Sequence, residues 1–362
     1  MKKVLKILLA ILLVIVLIVG GYFAYLFISF HRLGDNVSLE VENNQTGKSI
    51  AAKSETGEDQ TYKIVSWNIG FGAYESDYGF FMDGGTESRA WNKERLDQNL
   101  KDIGKVLREQ DADFYILQEV DRDSTRSYHV DETVYMQEAI TGMSHVWALN
   151  YDSPYLMYPL TKPHGKSVAG LMTFTDYEIN SAIRRELPIE NGLTKFLDLD
   201  RCYSVCRMSV ANGKELVLYN MHLSAYTSDG KIANEQLRLL VADMNSEYEK
   251  GNYVVCGGDF NKDILGDSGV YFGKPDKEYT WAQPLPDGIF DGTGLTLVAP
   301  LDEENPVPSC RNADGPYHPG QYVLTIDGFI VSDNVEVVSS NVIDLQFAYS
   351  DHNPVEMTFK LH

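Results

Sequence analysis

Residues 7–30, ILLAILLVIVLIVGGYFAYLFISF, carry no charged side chain, and no other feature limits this chain more. A helix over these 24 residues is about 36 Å long at 1.5 Å per residue, enough to cross a bilayer with some tilt. Lys2, Lys3 and Lys6 precede the run, and Tyr22, Phe23, Tyr25, Phe27 and Phe30 gather toward its far end, where aromatic rings favour the membrane interface. A cleaved signal peptide is the competing reading. The run exceeds a usual signal core and no A-x-A-like site follows it, so an uncleaved anchor is expected. The lysines before it and the lone Arg32 behind it predict a cytoplasmic stub at 1–6, a transmembrane anchor at 7–30 and the remainder outside the cytoplasm. A short basic leader followed by a polar segment fits a bacterial surface protein.

Residues 31–60 are polar, rich in Gly, Ser, Asn and Glu, and predict a tether rather than a domain. From Tyr62 onward apolar strands alternate with amphipathic helices, and 61–362 read as one domain. With 44% hydrophobic and 23% charged residues the chain has ordinary globular composition. Cys202 and Cys206 lie on one strand about 13 Å apart, too far to bridge, and Cys256 reads as a buried packing residue. No cysteine spacing suits zinc or a disulfide framework. The net charge of −21 disfavours nucleic-acid backbones unless a basic groove or bound cations reverse the field locally.

The strand signals are KIVSWNI (63–69), DFYILQEV (113–120), VAGLMTF (168–174), LVLYNMHL (216–223), YVVCGGDF (253–260), VLTIDGFIVS (323–332) and VEMTF (355–359). Leu96, Leu100, Ile103 and Leu107 share one helical face, as do Leu237, Leu240, Val241 and Met244. Mixed strands and helices without repeats predict an α/β sandwich with helices outside. Polar residues recur at the strand ends: Asn68, Glu119, His222, Asp259 and Asn261, with Asp327 inside TIDGFIV and Asp351–His352 before the last strand. Singly these are turn residues, caps or a satisfied core histidine. Together they are four carboxylates, two amides and two histidines, and carboxylates near strand cores are costly unless paired or metal-bound.

In order, WNIG (67–70), LQEVD (117–121), NMHL (220–223), GDFN (258–261), TIDGFIVS (325–332) and SDHNPV (350–355) resemble the endonuclease/exonuclease/phosphatase superfamily. The resemblance spans 61–362 and implies a four-layered α/β sandwich, two mixed sheets face to face with helices outside, acting as a metal-dependent phosphoester hydrolase. It implies that Glu119 is the principal ligand of Mg²⁺ or Mn²⁺, with Asn68 and Asp351 completing an oxygen-rich site. It implies that Asp259 orients and deprotonates the attacking water and that Asn261 holds that water or a phosphoryl oxygen. His352, oriented by Asp327, would contact the scissile phosphate, and His222 would be the acid for the leaving oxygen. Asn220 reads equally as a secondary polar contact and as a plain strand residue.

Specificity is expected from loops. PHGKSVAG (163–170) offers His164 and Lys166 as phosphate contacts, with a solvated turn as the alternative. Residues 70–91 form a long aromatic loop that either binds a sugar, base or lipid edge or covers the core. Arg126 and Arg311 sit beside the motif residues and are candidate binders of a nonreacting anionic group. The expected substrate is an extracytoplasmic phosphoester: a lipid headgroup, a small molecule or nucleic acid. A nuclease scavenging nucleic acid is the alternative, and a noncatalytic binding module would require a lost carboxylate or histidine, whereas every matching position is filled.

Overall fold

The computed structural model describes residues 2–51, 60–192, 195–198, 200–225, 230–273 and 281–362. Two sheets form because the apolar strands bury both faces, one against the other sheet and one against helices. The six-stranded sheet runs Val335–Val342, Val355–Leu361, Thr61–Asn68, Phe114–Asp121, Val168–Thr175, Ser144–Asp152. The seven-stranded sheet runs Val37–Ser38, Ser181–Glu186, Cys202–Ser209, Glu215–His222, Tyr253–Asp259, Asp327–Ser332, Leu295–Val298. Each sheet holds one parallel pair, Thr61–Asn68 with Phe114–Asp121 and Glu215–His222 with Tyr253–Asp259. Their crossovers carry the helices Lys93–Gln110 and Lys231–Glu249, as parallel pairing requires.

Strand alternation sorts the residues into layers. Ile64, Phe114, Ile116, Leu218, Val255 and Phe329 meet between the sheets. Trp67, Tyr115 and Leu117 point the other way, onto Leu96, Leu100, Ile103 and Leu107. On the opposite side Val217, Tyr219, Val254 and Cys256 receive Leu237, Leu240, Val241 and Met244. The result is helix, sheet, sheet, helix: the expected four layers. All four cysteines are free and buried.

The helix Lys2–Ser29 is long and apolar enough to cross a membrane, and its side chains from Val4 to Val19 are exposed. The polar segment behind it departs from the expected tether. Val37–Ser38 pairs with Ile183 and Arg184 at the sheet edge, and Ile50 is fully buried beside Val210. The cause is a short period-two pattern in which Val37, Leu39 and Val41 alternate with Ser38, Glu40 and Glu42; Leu39 and Val41 pack on the core.

Candidate active site

The same alternation that sends Ile64, Leu218, Val255 and Phe329 between the sheets sends Asn68, His222, Asp259 and Asp327 into that layer at one end of the sandwich, where the apolar filling stops. Register aligns three of them: His222 stands opposite Asp259, and Asp259 opposite Asp327. Gly258 makes this row possible. Its φ is +141°, and a Cβ there would lie 1.9 Å from the Met221 carbonyl oxygen. Below the row, Gln118 donates to Asn220 Oδ1 at 2.9 Å, so Asn220 is a cross-link between the two sheets.

Glu119 joins the cleft by breaking the alternation. Its φ is +55° and the pairing register slips between Leu117 and Val120, a bulge that turns the carboxylate toward Asn68, 3.5 Å away. Asn68 Nδ2 also donates to Asp259 Oδ2 at 3.0 Å, while Asp259 Oδ1 accepts the Asn261 backbone N–H at 2.8 Å. Asn261, itself left-handed at φ +49°, donates its side-chain amide to the Leu223 carbonyl at 2.7 Å. Asp351 completes the rim, and a cavity of about 80 Å³ is bounded by Asn68, Glu119, Asp259, Asn261, Asp351 and His352, among others.

Electrostatics divide the two histidines. His352 Nδ1 lies 2.8 Å from Asp327 Oδ2, and Nε2 lies 3.7 Å from Asp259 Oδ2. Burial alone would lower its pKa, but Asp327 with Asp351 and Asp259 outweighs burial and holds it well above the ordinary value, as imidazolium. His222 Nε2 is 3.4 Å from the same Asp259 oxygen. There burial, helped by Arg201 and His352, pushes the pKa well down, and the ring is neutral. Burial raises Asp259 to about 7, with Asp327 adding to the effect.

The donor set suits a hard divalent cation. Glu119, Asn68 and Asp351 line one cavity, and the two carboxylates are its anionic oxygen donors; Asn68 turns Nδ2 to Glu119 and Asp259 while its Oδ1 accepts the Gly70 N–H at 3.0 Å. Burial raises the Asp351 carboxyl against the lowering pull of His352 and Arg311. A tighter group, Asp259, Asp327 and His352, also has ligand atoms within 4.8 Å of one another. Its members are already engaged with each other, so it reads as a proton-holding unit. Asp327 Oδ1 is buried and without a hydrogen-bond partner among the described residues.

The structure corrects two expected contacts, Arg126 and His164, and places two others. Arg126 is not a free anion binder: Nε and Nη2 reach Asp121 at 3.1 and 2.9 Å, Nη1 lies 3.3 Å from Glu119, and Phe71 covers the guanidinium at 4.0 Å. Arg311 is buried and donates to the carbonyls of Gly315, Glu75 and Tyr78, tying two loops together; it also lines the cleft, and its Nε has no hydrogen-bond partner among the described residues. His164 is buried at 3.0 Å from the Ser88 carbonyl, and burial lowers its pKa to about 3, so it carries no charge for a phosphate. Lys166 is exposed and lines neither of the cavities described here. Sequence reasoning missed Ser309, which donates to Asp327 Oδ2 at 2.7 Å, and Asp121, which holds Arg126. Asp121 had a signal, since it sits two residues past Glu119 in LQEVD; Ser309 had none.

Solved structures share this architecture. An endonuclease/exonuclease/phosphatase from Beutenbergia cavernae superposes with a TM-score of 0.60 at 18% identity, covering 83% of this chain and 72% of that one. ANGEL2, a 2′,3′-cyclic phosphatase in complex with adenosine-2′,3′-vanadate, gives 0.54 at 15% identity, covering 90% and 99%. A mannosyl-6-phosphatase from Bacteroides thetaiotaomicron gives 0.50 at 18% identity, covering 82% and 99%. Compared by sequence with curated proteins, the chain finds no match. The endonuclease/exonuclease/phosphatase family model matches residues 65–352, which hold every residue of the cleft, and the chain belongs to this family of phosphoester hydrolases.

Proposed function

We propose that this chain hydrolyses a phosphoester outside the cytoplasm, anchored by its first helix, with Mg²⁺ or Mn²⁺ held by Glu119, Asn68 and Asp351. The observation that carries the reading is the meeting of Asn68, His222 and His352 around one Asp259 oxygen at 3.0, 3.4 and 3.7 Å. Asp259, raised to about 7, is matched to taking a proton from water near neutral pH. Protonated His352, fixed by Asp327, donates to a phosphoryl oxygen and offsets charge as it develops. Asn261 fixes the position of the water or of a phosphoryl oxygen. His222 starts neutral, and an anionic phosphoester beside it favours its protonated form, which then serves the leaving oxygen. Bound at the carboxylates, the cation supplies charge neutralisation and Lewis acidity.

The test is hydrolysis of bis-p-nitrophenyl phosphate and p-nitrophenyl phosphate by the full chain with Mg²⁺, with Mn²⁺ and with chelator. Activity should require the cation, and Asp259→Asn should lose about 100-fold or more in kcat. Full activity in Asp259→Asn with the metal present would refute the assignment of the base.

A further inference from the structure

A second, larger cavity of about 310 Å³ adjoins the cleft. Tyr74, Glu119, Arg201 and His222 line both spaces, so one molecule can occupy the two at once. The larger space is walled by Phe80, Phe81 and Met82 from the aromatic loop and by Leu156, Met157 and Tyr158 across from it. Its volume lies in the range of small-molecule pockets, about 300–1,000 Å³. Three polar groups in its wall are committed elsewhere, and Glu119, Arg201 and His222 stand where it meets the cleft. His164 is neutral and bonded to Ser88, Asn150 Oδ1 accepts the Cys202 N–H at 2.9 Å, and Arg126 is paired with Asp121 and Glu119. Such a wall favours a hydrocarbon over a sugar or a base, which would need donors and acceptors.

The anchor helix itself closes part of this cavity through Tyr22. The Tyr22 hydroxyl accepts the Met157 N–H at 2.9 Å and donates to the Tyr155 carbonyl at 3.2 Å, and the Tyr25 hydroxyl accepts the Tyr155 N–H at 2.9 Å. Nearby, Phe27 and Phe30 meet Phe196 edge-on at 5.3 and 5.4 Å, and Arg32 pairs with Glu186 at 2.9 Å. Tyr22 precedes the helix end at Ser29 by about 10 Å of rise, so the 155–160 loop reaches that far back along the helix toward the bilayer. On this loop Tyr155, Met157, Tyr158 and Leu160 are 37, 46, 68 and 81% exposed. Four exposed apolar residues beside a helix long and apolar enough to span a membrane offer a surface suited to a bilayer.

We infer that the substrate is a phosphoester bearing a long hydrocarbon chain, drawn from the bilayer past the 155–160 loop, with its chain in the larger cavity and its phosphate in the cleft. This rests on the phosphoester-hydrolase reading. The full chain is reconstituted in phosphatidylcholine vesicles with Mg²⁺ or Mn²⁺ and given phosphatidylglycerol or phosphatidic acid with hexanoyl or palmitoyl chains, and separately bis-p-nitrophenyl phosphate. Palmitoyl substrates should be preferred by about tenfold or more, and Leu156→Trp, which fills the cavity, should bring the two chain lengths to similar rates. Leu160→Asp lies outside both cavities; it should keep bis-p-nitrophenyl phosphate cleavage and lose about tenfold on vesicle lipid. A binding readout comes from Trp147, whose indole abuts Gly170 of the cavity wall. Vesicles of chain-brominated phosphatidylglycerol should quench fluorescence that disappears in Trp147→Phe. Equal rates on the two chain lengths, or no quenching assignable to Trp147, overturns the inference; continued cleavage of bis-p-nitrophenyl phosphate then leaves the hydrolase reading standing. Cleavage of no phosphoester at all overturns both.

Discussion

His352 Nδ1 and Asp327 Oδ2 are 2.8 Å apart, and Ser309 Oγ donates to the same carboxylate oxygen at 2.7 Å. The carboxylate therefore fixes both the orientation of the imidazole and its proton. Asp327→Asn keeps the shape and removes the charge. Its kcat should fall about 100-fold with a smaller change in KM, since proton donation rather than binding is damaged. Steady-state kinetics on bis-p-nitrophenyl phosphate decide it, with a thermal melt to establish that the fold is intact.

Arg126 makes a different prediction from the one its place in the sequence suggests. Because its guanidinium bridges Asp121 and Glu119, Arg126→Ala leaves Asp121 buried and unpaired. Stability should drop by about 3–5 kcal/mol. In variant protein that remains folded, the concentration of Mg²⁺ or Mn²⁺ needed for half-maximal rate should fall, because Glu119 loses the competing cation 3.3 Å away. Urea denaturation and a metal titration read the two effects. A rise in substrate KM alone, with both readouts unmoved, would restore the anion-binding role.

Much of this cleft is legible from strand alternation, and the exceptions have physical causes. Asn68, His222, Asp259 and Asp327 keep the parity of the apolar residues before or after them, so sequence places them on the sheet faces that meet. Glu119 does not, because a left-handed residue in mid-strand reverses the pattern; its strand-end position and its motif point to it, but not to the face it takes. Arg311 and Arg126 were visible as neighbours of motif residues, yet adjacency along the chain does not say where a guanidinium points. The carbonyls and carboxylates that hold them come from loops and turns with no periodicity to read. The segment 31–51 hid its strand because three alternating apolar residues are a weak signal in a polar stretch.

Away from the cleft, Glu247 should govern part of the acid stability. It accepts from Arg207 at 2.6 and 2.9 Å, from Lys250 at 2.7 Å and from Asn252 at 2.9 Å. Burial would raise its pKa, but these bonds outweigh burial and hold it at about 2. A folded-state value below the ordinary value means that the carboxylate stabilises the fold above the ordinary pKa. That contribution is lost as the pH falls from the ordinary 4.5 toward about 2. Circular dichroism across that range should show the loss, and Glu247→Gln should be less stable at neutral pH with a flatter dependence below 4.5.

Gly258 tests whether the site row depends on close backbone approach. A side chain at its φ of +141° is strained, and its Cβ would overlap the Met221 carbonyl oxygen at 1.9 Å. That carbonyl belongs to the strand carrying His222, so relieving the overlap separates the strand of Asp259 from the strand of His222. Backbone shift and φ strain together should cost Gly258→Ala about 2–4 kcal/mol in chemical denaturation. The same shift lengthens the 3.4 Å approach of His222 to Asp259, so residual folded enzyme should also lose kcat. Gly257→Ala is the informative comparison. Its added methyl would meet side chains, Ile116 and Phe329 at 2.7 Å, that can repack, so it should disturb stability more than chemistry. Equal kcat in the two variants, measured on folded protein, would show that catalysis tolerates the strand separation and that the row does not set the geometry of the base.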